Sequence, residues 1–290
     1  MDYVIILNME NNVLYIKKIK GMTSFDLCFK MRRVFNTKSI GHTGTLDPNA
    51  TGVMVLLIDK ACKANQFLVH DTKEYIATVK LGYETDTLDI DGNVIKEMEY
   101  QSPNKEAYLD VFKTFIGKQI QIPPMTSAIK VNGKKLVDYQ REGKEVEIPS
   151  REVEIFSLDL LSVSDDGFVF KTKVSSGTYI RTLMKDILAK MGLIGTLVEL
   201  ERTKVGDVSI EECDSYEEVL NGNYHLHSLY DALSSMYKVV EYQNDKDIRN
   251  GKRIRLNVEE DRVLMVKDNE VLAIYERVNN NEFKSVRGLF

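Results

Sequence analysis

Between Gly41 and Gly52 the chain reads Gly-His-Thr-Gly-Thr-Leu-Asp-Pro-Asn-Ala-Thr-Gly, with glycines and threonines crowded around one carboxylate, Asp47. Glycine accepts positive φ and close backbone approach. Pro48 drives Asp47 out of the helical region and stiffens the turn. Directly behind lies Val53-Met54-Val55-Leu56-Leu57-Ile58, an apolar, β-branched run that predicts a buried strand. An aspartate on a rigid loop beside a core strand is a common way to present a nucleophile or a base. An Asp-Pro in a Gly/Thr loop is also an ordinary turn or helix cap, and residue type alone leaves both readings open.

The elements that must hold this loop are legible in outline. Residues 13–17 read as a strand. Residues 23–33 read as an amphipathic helix, capped by Thr23 or Ser24, with Phe25, Phe29 and Val34 recurring near helical spacing. A helix is expected over 60–69, a strand over 75–81 and a helix over 104–115. Residues 119–149 mix prolines with basic residues and a short helix near 136–141, an excursion from the main sheet. Strands over 153–161 and 168–174 flank the turn Asp165-Asp166-Gly167, and a helix over 178–190 ends near Gly192. Beyond residue 237 the pattern changes to short strand-like runs, 262–266 and 271–275 among them, with a turn at Asn250-Gly251-Lys252. That change predicts a small β module.

Composition narrows the class. The chain has 290 residues, 43% hydrophobic and 29% charged, with no apolar run near the roughly 20 residues a membrane helix needs. The run Val4-Ile5-Ile6-Leu7 follows Asp2 and is too short for a signal segment, so a cytoplasmic protein without membrane contact is expected. Cys28, Cys62 and Cys213 are odd in number and widely spaced, and fit neither a disulfide framework nor zinc. Cys28 and Cys62 are expected as buried thiols. The pair His225-x-His227 lacks a third ligand nearby and reads as a surface pair, so no metal is expected. The net charge is −5, yet residues 1–70 carry nine Lys/Arg against five Asp/Glu. The stretch 118–144 carries Lys118, Lys130, Lys134, Lys135, Arg141 and Lys144 against Asp138 and Glu142. This polarity is compatible with RNA along one face, but it equally describes solvated surface.

The segment GHTGTLDPNATGVM resembles the catalytic loop of the TruB family of tRNA pseudouridine synthases, whose pattern is close to GHxGxLDPxAxGxL. The resemblance recurs in order along the chain. Lys73-Glu74-Tyr75, Leu81-Gly82 and Thr85-Asp86-Thr87-x-Asp89-x-Asp91-Gly92 resemble the family's K-x-Y…LG…TDT-x-D segment. The run from Gln121 to Lys130 resembles Q-x-P-P-x-x-S-A-x-K. Gly177-Thr178-Tyr179-Ile180-Arg181-Thr182-Leu183 resembles GTYIRxL, and Leu197 to Gly206 fits the late L-x-x-L-x-R-x-x-x-G segment. One stretch departs from the pattern: Asn12, Lys17 and Ile19 stand where the family has glycine, aspartate and proline, while Lys18 and Gly21 persist. The Lys-Pro pair of that motif is expected to brace the catalytic loop.

The resemblance implies an α+β pseudouridine synthase catalytic fold, with a mixed, largely antiparallel sheet flanked by helices, over residues 1–237. Within it, about 119–149 would grip RNA, and 238–290 would be a PUA-like RNA-binding domain. The implied activity is isomerisation of uridine to pseudouridine at position 55 in the T-loop of tRNA, an isomerase reaction needing no cofactor, by a monomer. Asp47 would be the catalytic group and Arg181 its ion partner. Tyr75 would stack on the flipped uracil, Tyr179 would pack the base and shuttle a proton, and Leu200 would line the apolar side. His42 would help displace the base, and Lys18 and Lys63 would contact phosphate or the loop. The alternatives are a non-catalytic tRNA-binding or folding factor of the same fold, and a relative that works in a guide-RNA complex.

Overall fold

The computed structural model describes residues 12–68, 72–127 and 129–290. The run Val4 to Leu7, Val69 at the end of an expected helix, and Ala128 of the Gln121–Lys130 segment lie outside these residues. The chain forms two compact units: one takes residues up to 48, 53–68 and 211–290, the other 49–52 and the stretch to 210.

The first unit begins with β1 (Asn12–Lys18), α1 (Ser24–Val34), β2 (Ile40–His42) and β3 (Thr51–Ile58), whose first two residues belong to the second unit. Every residue from Val53 to Ile58 is buried, as a continuous apolar run requires. β2 runs antiparallel to β3, with His42 opposite Leu56. A capping box starts α1: the Thr23 hydroxyl accepts from the Asp26 N–H, and the Asp26 carboxylate accepts from the Thr23 N–H. The packed face of α1 corrects the sequence expectation. Ser24, Leu27, Cys28 and Met31 face inward, while Phe25 and Phe29 are 63% and 48% exposed. Leu27, Cys28 and Met31 form a complete i, i+1, i+4 stripe, and the phenylalanines lie off it. The helix expected over 60–69 is a 3-10 helix, Asp59–Phe67, burying Ala61, Ala64 and Phe67. That three-residue interval is the 3-10 repeat. Cys62 falls between these positions and is only half-buried, correcting its reading as a core thiol.

The second unit continues with β4 (Thr72–Leu81), β5 (Tyr83–Thr85), β6 (Val94–Glu97), α2 (Lys105–Lys113) and β7 (Gly117–Gln121). Then come β8 (Lys130–Val131), β9 (Lys134–Lys135), α3 (Leu136–Arg141), β10 (Arg151–Ser164), β11 (Gly167–Ser175), α4 (Ile180–Lys190), β12 (Gly195–Val205) and β13 (Val208–Ser209). Its sheet runs β12-β4-β11-β10-β7, antiparallel throughout. Tyr108 and Phe112 of α2 pack on Phe168 and Phe170 of β11, with the Tyr108 and Phe168 rings 4.6 Å apart. α4 starts two residues later than expected. Gly177, at φ 88°, turns the chain, and Tyr179 is the extended N-cap residue, not a helical one.

Back in the first unit, β14 (Asp214–Ser215) runs parallel to β1 and β15 (Leu226–Ser228) antiparallel to it. The five-stranded sheet of the C-terminal module follows: β16 (Lys238–Glu241), β17 (Ile254–Arg255), β18 (Arg262–Lys267), β19 (Glu270–Asn279) and β20 (Glu282–Gly288), in the order β16-β18-β19-β20-β17. It has a core of its own, including Ile248, Val263, Met265, Leu272, Tyr275 and Phe283.

Candidate active site

In the first unit, the residues on both sides of Asp47 are clamped. Leu46 and Ser24 exchange hydrogen bonds: the Leu46 N–H donates to Ser24 Oγ at 2.9 Å, and the Ser24 hydroxyl donates to the Leu46 carbonyl at 3.1 Å. The Pro48 carbonyl accepts from Lys18 Nζ and from the Gly21 N–H, each at 3.0 Å. Lys18 is fully buried and also donates to the Ile19 carbonyl at 2.9 Å. The bracing expected of the family's Lys-Pro pair is thus carried out by Lys18, with Ile19 offering a carbonyl where a proline would offer the same group. These bonds fix the Asp47 backbone, which is what a reacting carboxylate needs. Asp47 is itself half-buried, and so is His42 at the end of β2.

The loop motif is divided between the units, with Gly41 to Pro48 in the first and Asn49–Gly52 in the second. Gly52 has φ 102°, and a Cβ there would sit 2.2 Å from the Arg202 carbonyl oxygen. Here Thr51 and Gly52 run parallel to Glu201 and Arg202 of β12. Only glycine permits that approach.

In the second unit, Tyr75 on β4 lies opposite Arg202 on β12 and Thr172 on β11, and Leu200 lies opposite Ala77. Residues directly opposite in antiparallel strands share a face, so Tyr75, Leu200 and Arg202 project from one side of the sheet. Tyr75 and Arg202 are buried, while Leu200 and Tyr179 are half-buried. Gln121 holds Tyr179 at its backbone, accepting from its N–H at 3.0 Å and donating to its carbonyl at 3.3 Å. The Arg151 guanidinium lies 6.0 Å from the Tyr179 ring.

Arg181 is buried, and its Nη1 donates to Asp89 Oδ2 at 3.1 Å, the Thr87 carbonyl at 2.9 Å and Thr126 Oγ1 at 2.7 Å. Asp89 is aimed by the Thr87 hydroxyl at 2.6 Å and the Asp91 N–H at 3.1 Å, both on its other oxygen. Sequence reasoning gave Arg181 one carboxylate, Asp47, and missed Asp89. It also assigned nothing to Thr126, Gln121 and Arg202. Thr126 falls at a variable position of the Gln121–Lys130 segment and gave no signal, whereas Asp89, Gln121 and Arg202 stand at fixed positions of the ordered motifs, where a polar residue was the available signal. Lys73 was missed in the same way. Its ammonium donates to Ser176 Oγ at 3.1 Å, and burial, then the neighbouring Arg202 charge, lower its pKa to about 8.

The remaining candidates fall elsewhere. His225 is exposed beside Asp214, which raises its pKa. His227 is half-buried, its ring stacked 4.0 Å from that of Tyr15 and its pKa lowered by burial, so the two histidines are not one surface pair. Among the described residues no three His, Cys, Asp or Glu side chains are grouped to hold a metal, and no helix is long and apolar enough to cross a membrane. Lys63 donates to the Phe290 carbonyl oxygen. Lys252 pairs with Asp247 and Arg253 with Glu282, while Arg255 makes no ion pair among the described residues.

Residues 32–180 match the model of the TruB family pseudouridylate synthase N-terminal domain. The chain is 39% identical to tRNA pseudouridine synthase B of Oceanobacillus iheyensis, over 96% of this chain and 97% of that one. It is 37% identical to tRNA pseudouridine synthase B of Streptococcus pneumoniae serotype 4, over 93% and 97%. Among solved structures, it is similar to a chain of the archaeal box H/ACA sRNP Nop10-Cbf5 complex, with TM-score 0.72 and 17% identity over 98% of this chain and 88% of that one. It is also similar to a chain of a Cbf5-Nop10-Gar1 complex, with TM-score 0.71 and 18% identity over 97% and 86%. These structural likenesses show the fold, a mixed, largely antiparallel catalytic sheet with a small PUA-like β sheet at the C-terminal end. With the ordered motifs, the family model and relatives aligned over nearly the whole chain, this protein belongs to the TruB family of pseudouridylate synthases.

Proposed function

We propose that this isomerase converts uridine to pseudouridine at position 55 in the T-loop of tRNA, with Asp47 as the reacting carboxylate. The observation that carries the reading is the pinning of Asp47 through Leu46 and Pro48 by Ser24, Lys18 and Gly21. The names of the full-length relatives support tRNA as the substrate. In the reaction the N1–C1′ bond breaks, the detached uracil turns, and a C5–C1′ bond forms while the C5 proton leaves. Mass and redox state are conserved, so the balance calls for no cofactor. The target base must leave its stack to be reached. Asp47 acts at the nucleoside as nucleophile or base, and a guanidinium such as Arg181 favours the ionised form of a carboxylate that it pairs with. Tyr75 offers a ring to the uracil, Tyr179 a ring and a hydroxyl for the C5 proton, Leu200 an apolar wall, and His42 a wedge. Residues 1–237 would form the catalytic domain, gripping RNA with 119–149, and 238–290 the RNA-binding domain.

Mapping pseudouridine on unmodified tRNA incubated with the pure protein tests this reading. The wild type is expected to modify position 55, and Asp47→Asn to be inactive while binding tRNA within about tenfold. Modification at another position would correct the substrate site. Substantial turnover by the Asn variant would remove Asp47 from its role.

A further inference from the structure

The basic clusters that the sequence singles out differ in one respect once folded. In the stretch 118–144, Lys118 pairs with Glu152, Lys134 and Lys144 share Glu142, and Arg141 pairs with Asp138. Around α1 the cations keep their charge to themselves. Residues 20–38 contain Lys20, Lys30, Arg32, Arg33 and Lys38 against the single carboxylate of Asp26, which is taken up by its own cap at Thr23. None of the five makes an ion pair among the described residues. Instead the Arg32 guanidinium lies 5.8 Å from the Phe25 ring, the Arg33 guanidinium 5.5 Å from the Phe29 ring, and Lys30 Nζ 5.4 Å from the Tyr216 ring.

Two large rings on the water side of a helix are unusual when the same helix has a complete apolar stripe facing inward. Unneutralised arginines over exposed rings combine the two contacts that RNA offers at once, phosphate charge and a base face. α1 has 11 residues, a length of about 16 Å, and it starts at the loop clamp, since its first residue, Ser24, is the one bonded to Leu46.

We propose that the outer face of α1, carrying Phe25, Phe29, Lys30, Arg32 and Arg33 and extended by Lys38, is an RNA-contact surface for the strand that flanks the target uridine. This rests on the RNA-modifying reading above and adds to it a surface separate from the residues that reach the base. The complementarity is to a polyanion with stackable rings, which a nucleic-acid strand supplies.

The test measures tRNA affinity against salt for the full-length protein. In the variant Lys30→Gln/Arg33→Gln/Lys38→Gln all three side chains are exposed, so the fold is expected to persist, checked by thermal unfolding. Each lost phosphate contact should flatten the plot of log K against log salt by about 0.7–0.9, or roughly two to three units for the three. Lys113→Gln, on the exposed face of α2 in the other unit, serves as the control and should keep the wild-type slope. Phe25→Ala/Phe29→Ala should weaken binding about tenfold or more with the slope unchanged, since stacking releases no counterions. Wild-type Kd and slope in the triple variant would overturn the proposal and leave the face to solvent or to an acidic protein. Pseudouridine formation by the wild type in the same buffer is scored in parallel. Its absence would count against the proposed function, and its presence beside an unchanged slope against this surface alone.

Discussion

Asp89→Asn isolates how Arg181 is held, because it deletes a charge while keeping the shape. The Asp89 and Arg181 side chains are 14% and 5% exposed, so their ion pair is largely out of water. Removing one partner of a buried pair costs about 3–5 kcal/mol, since the other charge stays desolvated. The amide has no good orientation here. Turned one way, its NH2 meets Arg181 Nη1, and turned the other, it meets the Asp91 N–H, both donors. At about 2–4 °C per kcal/mol, the thermal midpoint should fall by roughly 10 °C. The guanidinium keeps its bonds to the Thr87 carbonyl and Thr126, so it should be displaced and not released. A misplacement of about 1 Å costs on the order of 100-fold in rate, and kcat on tRNA should drop by about that factor. The assay is pseudouridine formation with saturating tRNA beside thermal unfolding, in a cycle with Arg181→Gln and the double variant. If Asp89 acts through Arg181, the double variant is scarcely slower than Arg181→Gln alone. Fully additive losses, or an Asp89→Asn protein with wild-type midpoint and rate, would show that Asp89 does not hold Arg181 in place.

Further outcomes follow from the same contacts. Gly52→Ala puts a methyl 2.2 Å from the Arg202 carbonyl at φ 102°, a clash and a strained backbone together, and should cost more than about 3 kcal/mol, read by denaturant unfolding; a variant as stable as wild type would contradict the close approach. The pKa of Lys73 is depressed to about 8 in the folded protein, so between that pH and the unfolded value near 10.5 the unfolded chain holds the extra proton and stability rises with pH. Thermal midpoints from pH 7 to 10.5 should therefore rise for wild type relative to Lys73→Met, and parallel curves would show that the lysine is not depressed. Tyr75→Ala should lose more turnover than Tyr75→Phe, because stacking uses the ring and is worth roughly 1–3 kcal/mol; equal losses would point to the hydroxyl. Turnover should survive exhaustive EDTA treatment, and loss restored by Zn²⁺, but not by Mg²⁺ that merely folds the tRNA, would contradict a metal-free reaction.

Elements whose cause is local were legible in the chain alone. Six apolar residues in a row make a buried strand wherever they are placed, and 53–58 is one. Thr23 with Asp26, and Asn104 ahead of α2, carry their caps in the neighbouring residues. The motif order was enough to bring the chain to its family. Tertiary structure decided what depends on partners far apart in the chain. Which side of α1 is buried was settled by packing that favours Leu27, Cys28 and Met31, against the expectation for Phe25 and Phe29. The helix expected after β3 became a 3-10 turn because three apolar residues three apart had to face one core. Sequence left Lys18 a choice between phosphate and the loop, and folding chose the loop: the side chain is buried and donates to the Pro48 carbonyl 30 residues away. Arg181 meets Asp89 across 92 residues of sequence. Spacing along a chain does not encode such pairs, because they form only where folding closes the loops between them.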